Sequence, residues 1–281
     1  METNLKSVRK LVSKFETEVL DNPEHEDLNI TGVFIDKKEG KYRAIVLLDE
    51  QLDRQAIETL AAQYFENEPY KVVGIKDVPD LTVNYQTGAG IRHHNNSSRG
   101  TLGGVYTKDG DNFLYGLSNN HVIANLNNAN VGDVIRDAQN REIGQLYRWI
   151  KLHPYPVANG IDAAIFRFRP DNRGKWVPFK PTGYANPVIN LRVYKNGAAS
   201  DVTYGWVKGY NGSVKINHNG VWYKFNGVIS IRGVSADFNL PGDSGSVVLT
   251  YHGKKQVALI FGKSGPYCWA LPIRRIGPLF S

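Results

Sequence analysis

From Thr101 onward this chain of 281 residues breaks into short β-prone runs cut by glycine, asparagine, aspartate and proline, and that texture constrains its fold more than any other feature. The runs LGGVYT, NFLYGLS, AAIFRF, LRVYK, TYGWVKGY, VWYKF, VISIRG, SVVLTY and QVALIFG are rich in β-branched and aromatic residues and too short for stable helices. Such spacing predicts an all-β sandwich or barrel. The Asp-Gly of KDGD, between Val105 and Phe113, favours a hairpin turn that needs positive φ. No repeat of fixed period stands out, which argues against a propeller or solenoid. The lone cysteine, Cys268, permits neither an internal disulfide nor a cysteine-rich zinc site, so packing must hold the core. With 41% hydrophobic and 11% aromatic residues, the chain has the apolar surface to do so.

The first 85 residues follow a different pattern. Leu5, Val8, Leu11, Val12, Phe15 and Val19 recur at spacings of three and four, which predicts an amphipathic helix. Asn29 to Ile35 and Tyr42 to Leu48 read as strands joined by the polar DKKEGK, Ile57, Leu60, Ala61 and Tyr64 as a second helix, and Val72 to Val78 as a third strand. That order predicts a small α+β layer. The expected organisation is an acidic α+β domain over 1–85, a linker over 86–100 where apolar periodicity is lost, and a β domain over 101–281. Residues 1–85 hold 11 Lys and Arg against 17 Asp and Glu, a net of −6. The rest of the 34 bases and 27 acids leaves 23 against 10, a net of +13. Opposite signs on one chain predict intramolecular docking of the N-terminal domain on the body, and nucleic acid is not the expected partner.

The segment PGDSGS, Pro241 to Ser246, is the sharpest candidate for chemistry. Ser244 stands between Gly242 and Asp243 on one side and Gly245 on the other, and the glycines let a substrate carbonyl approach the main chain. A serine hydroxyl needs a base to take its proton and N–H groups to stabilise an oxyanion. His121 in GLSNNHVIA and Asp162 in NGIDAAIFRF, each next to an apparent strand, are the candidate base and acid.

GDSGS, SNNHV and IDAAIF resemble the three catalytic blocks of chymotrypsin- and trypsin-like serine proteases, in the order His, Asp, Ser. More narrowly, GGVYTKDGDNFLYGLSNNHVIA, VGDVI and DAAI resemble the bacterial and plant Narrow-leaf-type trypsin-like proteins, which carry an N-terminal α/β segment. The resemblance spans roughly Thr101 to Ile273. It implies a mainly β, chymotrypsin-like double β-barrel preceded by the small α+β domain. It also implies Ser244 as nucleophile, His121 as general base and acid, Asp162 as the group orienting the imidazole, and an oxyanion hole from the N–H groups of Gly242 and Ser244. Asp243 would hold the oxyanion loop through a buried charge pair, often to a newly freed N-terminus, and cleavage after Arg92 or Arg99 is one route to such a terminus. At the specificity pocket the resemblance points to Phe238, with Asp237 beside it if the register shifts by one, and to the edge formed by Ile260, Phe261 and Gly262.

The expected function is a serine endopeptidase acting on a protein substrate through an acyl-enzyme, with regulation assigned to the N-terminal domain. The alternatives are a catalytically inactive protease-fold module that binds a partner protein or nucleic acid, and an esterase. No cofactor and no metal are expected: His93 and His94 read as exposed linker histidines with no accompanying ligand pattern. The five tryptophans, at 149, 176, 206, 222 and 269, read as barrel core rather than a stacking platform, and Cys268 as buried packing. No apolar run reaches the length of a membrane span, no membrane partner is expected, and the N-terminus lacks the apolar core of a signal peptide. The expected compartment is the cytoplasm.

Overall fold

The computed structural model describes residues 2–20, 30–38, 41–49, 54–66, 68–75, 90–108, 111–170, 183–234 and 237–280. α1 (Glu2–Phe15) runs on into one π-helical turn, Glu16–Leu20, and buries Val8, Val12, Phe15 and Val19, the stripe that its sequence period requires. β1 (Ile30–Lys38) and β2 (Lys41–Asp49) pair antiparallel. α2 (Arg54–Tyr64) then carries the chain across to β3 (Tyr70–Ile75), parallel to β2, as a parallel pair demands a crossover. Val8, Phe15, Val33, Val46, Ile57 and Phe65 close the core between the two helices and this sheet.

Seven strands form the next sheet: β4 (Gly90–His93), β5 (Gly100–Thr101), β6 (Gly104–Thr107), β7 (Leu114–Ser118), β8 (Val134–Asp137), β9 (Glu142–Trp149) and β11 (Ala164–Phe168). The short β10 (Ala158–Asn159) leaves this sheet to join a later strand. The spatial order is β5-β4-β8-β9-β11-β7-β6. Its two edge strands, β5 and β6, are consecutive in the chain with only Leu102 and Gly103 between them, so the sheet has to curl until its ends meet. The Gly103 N–H reaches the Leu117 carbonyl at 2.8 Å at that seam. Ile91, Val105, Val122, Ile135, Leu146 and Phe166 fill the interior.

The second barrel uses β12 (Arg192–Gly197), β13 (Asp201–His218), β14 (Val221–Gly233), β15 (Val247–Thr250), β16 (Gln256–Ser264) and β17 (Tyr267–Pro272). The order β14-β17-β16-β15-β12-β13 is closed by direct pairing of β13 with β14, which makes a ring of six. Val193, Val207, Ile229, Ile231, Phe238 and Ile260 are among its core residues. The mainly β double-barrel class expected from the sequence, behind a small α+β layer, is the class observed.

β13 and β14 are longer than the barrel needs, and β1 pairs with the excess: Gly32 faces Val214, Val33 faces Ser213, and Ile35 faces Tyr210. One sheet therefore runs from β3 through β1 into the second barrel. Phe34 enters the apolar layer shared with the barrels, 3% exposed, and stacks on Trp269 at 4.8 Å and 3°. Beside it, Glu16 accepts hydrogen bonds from Ser213 Oγ at 2.5 Å and from the buried Lys224 Nζ at 3.2 Å.

Several expectations need correction. Part of the stretch expected as linker is sheet: residues 86–89 lie outside the described residues, but Gly90–His93 is β4, paired with β8 from Ile91 to Asp137, and Gly100 opens β5. Four residues are too few to show an alternation, so long-range pairing overrides the polar local texture. His93 is accordingly buried, not exposed. Trp269 and Cys268 are buried as expected, Trp149, Trp206 and Trp222 are half-buried, and Trp176 and the Asp109-Gly110 turn lie outside the described residues. Among the described residues no helix is long and apolar enough to cross a membrane.

Candidate active site

β7 and β11 are neighbours with Ala164 opposite Ser118. His121 follows Ser118 by three residues and Asp162 precedes Ala164 by two, so the antiparallel pairing delivers both to the same end of the first barrel. The chain leaves β7 into the single turn α3 (Asn120–Ile123), fully buried. Asp162 Oδ2 lies 2.5 Å from His121 Nδ1 and Oδ1 accepts the His121 backbone N–H at 3.3 Å, while its carbonyl takes the Asn119 side-chain amide at 2.7 Å. With Asp162 ionised the imidazole proton sits on Nδ1, and the lone pair is on Nε2. That Nε2 is buried and has no hydrogen-bond partner among the described residues.

The Ser244 turn precedes β15. Gly242 and Gly245 stand at φ +105° and +95°, where a side chain would be strained, which explains the two flanking glycines. The turn's N–H groups divide in two sets. Asp243 N–H bonds the Leu240 carbonyl at 3.0 Å, Gly245 N–H the Ile260 carbonyl at 2.8 Å, and Ser246 N–H the Asp243 carbonyl at 2.9 Å. Those of Gly242 and Ser244 have no acceptor among the described residues. Thr101 of β5 clamps the turn from the first barrel: its N–H bonds the Ser244 carbonyl at 2.7 Å, and its hydroxyl donates to the Gly242 carbonyl at 2.8 Å while accepting the Ala198 N–H at 2.9 Å.

The two halves meet at Gly100. A Cβ there would lie 2.5 Å from Val122 Cγ2 and 2.7 Å from the Ser244 carbonyl oxygen, so the residue after His121 and the residue carrying the hydroxyl both crowd the bare α-carbon of Gly100. His121 and Ser244 are 3% and 6% exposed, at the junction of the barrels.

Asp243 is fully buried. Its Oδ2 accepts from Lys195 Nζ at 2.8 Å, Ser200 Oγ at 2.5 Å and Leu240 N–H at 2.8 Å. Its Oδ1 accepts from the N–H groups of Ala199 at 2.9 Å and Ser200 at 3.2 Å. Thr101, Asn119, Lys195 and Ser200 were all missed by sequence reasoning. Only the asparagine pair of SNNH carried a local signal, as side chains that cap and cross-link backbone.

The expected pocket residues separate. The Phe238 ring is 1% exposed within the second barrel's core, which corrects its placement at a pocket base: it presents no surface to a ligand. Phe261 is likewise enclosed, 4.7 Å from the Phe225 ring. Gly262 lies on β16, its carbonyl accepting from the Asn239 amide at 3.3 Å. Asp237 pairs with Lys263 at 2.7 Å, so it is not an unpaired acid awaiting a basic side chain.

His93, His94 and Asp133 bring three donor atoms within 4.8 Å of one another. Both His93 ring nitrogens are engaged within the chain. Asn95 N–H donates to His93 Nδ1 at 3.2 Å, which leaves the ring proton on Nε2, where it bonds Asp133 Oδ2 at 3.0 Å. Burial pushes the His93 imidazolium down in pKa, partly offset by Asp133. Burial likewise pushes the Cys268 thiol up, so it is no nucleophile.

No protein-family model and no curated protein matches the chain. Among solved structures it is similar to Nocardiopsis protease (NAPase), with TM-score 0.47 and 16% identity over 70% of this chain and 94% of that one. It is also similar to Thermobifida fusca protease A, at 0.46 and 16% over 68% and 91%, and to Cellulomonas bogoriensis chymotrypsin, at 0.44 and 16% over 71% and 93%.

Proposed function

We propose that this chain is a serine endopeptidase that cleaves a protein substrate through an acyl-enzyme on Ser244. The observation that carries the reading is His121: a buried imidazole with Nδ1 held by Asp162 and an Nε2 that no described residue uses, at the seam where Ser244 emerges. Most buried ring nitrogens are satisfied, whereas a base must keep one lone pair available, and in His121 the free nitrogen is the one opposite an Asp-held Nδ1. In the proposed reaction Ser244 Oγ bonds to the substrate carbonyl carbon, its proton passes to Nε2, and the carbonyl electron pair moves onto oxygen. The unused N–H groups of Gly242 and Ser244 suit that oxyanion, and one such donor is typically worth about 10²–10³ in rate. Collapse expels the amine, which takes the proton from the imidazolium and leaves an ester on Ser244. Water then gives its proton to the same Nε2, attacks the ester, and restores the hydroxyl with release of a carboxylic acid. The narrower Narrow-leaf-type resemblance rests on the quoted segments, and the N-terminal domain, joined to β13, is proposed as the seat of regulation.

Intact-mass measurement after fluorophosphonate treatment tests the reading. Wild type should gain one adduct, mapped to Ser244, and Ser244→Ala should gain none. Absence of the adduct from folded wild type overturns the proposal in favour of a non-catalytic binding module. Polypeptide cleavage, not turnover of an activated ester, then separates a peptidase from an esterase.

A further inference from the structure

The most thoroughly built polar cluster outside the candidate triad is the one around Asp243. Lys195, on β12, is 0% exposed, and its ammonium has three acceptors for three N–H bonds: Asp243 Oδ2 at 2.8 Å, the Asp201 carbonyl at 3.1 Å, and Ser200 Oγ. The Ser200 hydroxyl donates a hydrogen bond to Asp243 Oδ2. The carboxylate in turn holds five donors, two on Oδ1 and three on Oδ2, more than its roughly four lone-pair sites. A buried ion pair is stable only when it is satisfied in this way. Gly197 is part of the arrangement, since a Cβ there would lie 2.7 Å from Lys195 Nζ and closer still to Asp243.

Asp243 sits between Gly242 and Ser244, whose N–H groups are the unused ones. Its side chain fixes the peptide planes on either side. Five donors from within the chain already fill the carboxylate's roughly four lone-pair sites and leave no place for a freed α-amine. Cleavage after Arg92 or Arg99 would also cut the first barrel: Arg92 lies in β4, and its guanidinium bonds the His94 and Asn96 carbonyls at 3.2 and 3.0 Å.

We infer that Lys195 is a built-in positioning residue for the oxyanion hole, the internal cation that keeps the Ser244 turn assembled without proteolytic release of an N-terminus. This rests on the reading of Ser244 as nucleophile.

The test uses the full chain. Wild type labelled by fluorophosphonate should carry the mass of the uncleaved chain plus one adduct. Lys195→Met should label about 100-fold more slowly or worse, the effect of losing hole donors, with KM for a small ester little changed and kcat reduced. Lys195→Arg should recover labelling to within about tenfold of wild type, since it restores a hydrogen-bonded cation. If Lys195→Met does not fold by circular dichroism, Ser200→Ala replaces it and should slow labelling about tenfold, as one charged hydrogen bond is lost. Label found only on a cleaved chain, or wild-type labelling rates in a folded Lys195→Met or Ser200→Ala, overturns the role of Lys195 and leaves the peptidase reading standing. No label on any form of wild type removes both.

Discussion

At Asp162 the two carboxylate oxygens divide their work: Oδ2 holds the imidazole, and Oδ1 holds the backbone that carries it. Asp162→Asn keeps the shape but offers Nδ1 an amide, and the ring then settles in the wrong tautomer. We expect kcat to fall by about 10⁴ with KM little altered, read by steady-state kinetics on a small ester. Thr101 is the complementary case on the serine side. Thr101→Val leaves the Gly242 carbonyl and the Ala198 N–H without a buried partner, at about 1–3 kcal/mol each. A lower denaturation midpoint and slower labelling should appear together, and an unchanged midpoint would show that the clamp does not hold the turn. His121, Asp162 and Ser244 were legible because each lies in a short segment whose neighbours are set by local need: glycine at positive φ around the serine, and apolar strands next to the histidine and the aspartate. Thr101 and Lys195 lie in ordinary strands, and nothing within a few residues reports a partner more than forty positions away.

The strand containing His93 shows the same limit at the level of elements. The apolar stripe of α1 announces a helix through a period the chain repeats over several turns. The four residues of β4 repeat nothing, and they become a strand because β8 offers them backbone partners. Folding buries His93 with a pKa below its ordinary value of 6.5, so the unfolded chain binds that proton more readily. Stability should therefore be full above pH about 6.5 and be lost as pH falls through the lowered folded-state value. Desolvation drives this, His94 adds to it, and Asp133 opposes it. Thermal melts between pH 8 and roughly 5, across the ordinary histidine range, should show a decline that is shallower in His93→Gln. Equal slopes for the two proteins would assign the acid sensitivity elsewhere.

For the whole molecule, the decisive contact is between parts that the sequence separates. Charge asymmetry distinguishes residues 1–85 from the rest, yet β1 continues the sheet of the second barrel and Phe34 stacks on Trp269, which pairs with Gly262 of β16. Phe34→Ala should cost about 3–5 kcal/mol, the usual effect of emptying a large buried site, measured by chemical denaturation. Removing residues 1–85 should leave a body that fails to give a cooperative transition, because the extra length of β13 loses its partner strand and Trp269 its cover. A truncated body that melts like the full chain would show the layer to be an appendage. By itself the sequence determined the β class, the helix and strand order among the described residues of the first 85, and the three candidate side chains, because those follow from periods and turn chemistry confined to neighbouring residues. The tertiary structure alone decided which strand closes each barrel, which lysine meets Asp243, why Phe238 faces the core, and how the N-terminal layer becomes part of the second sheet. Each of these depends on pairing and burial between distant residues, and a one-dimensional pattern carries no register for them.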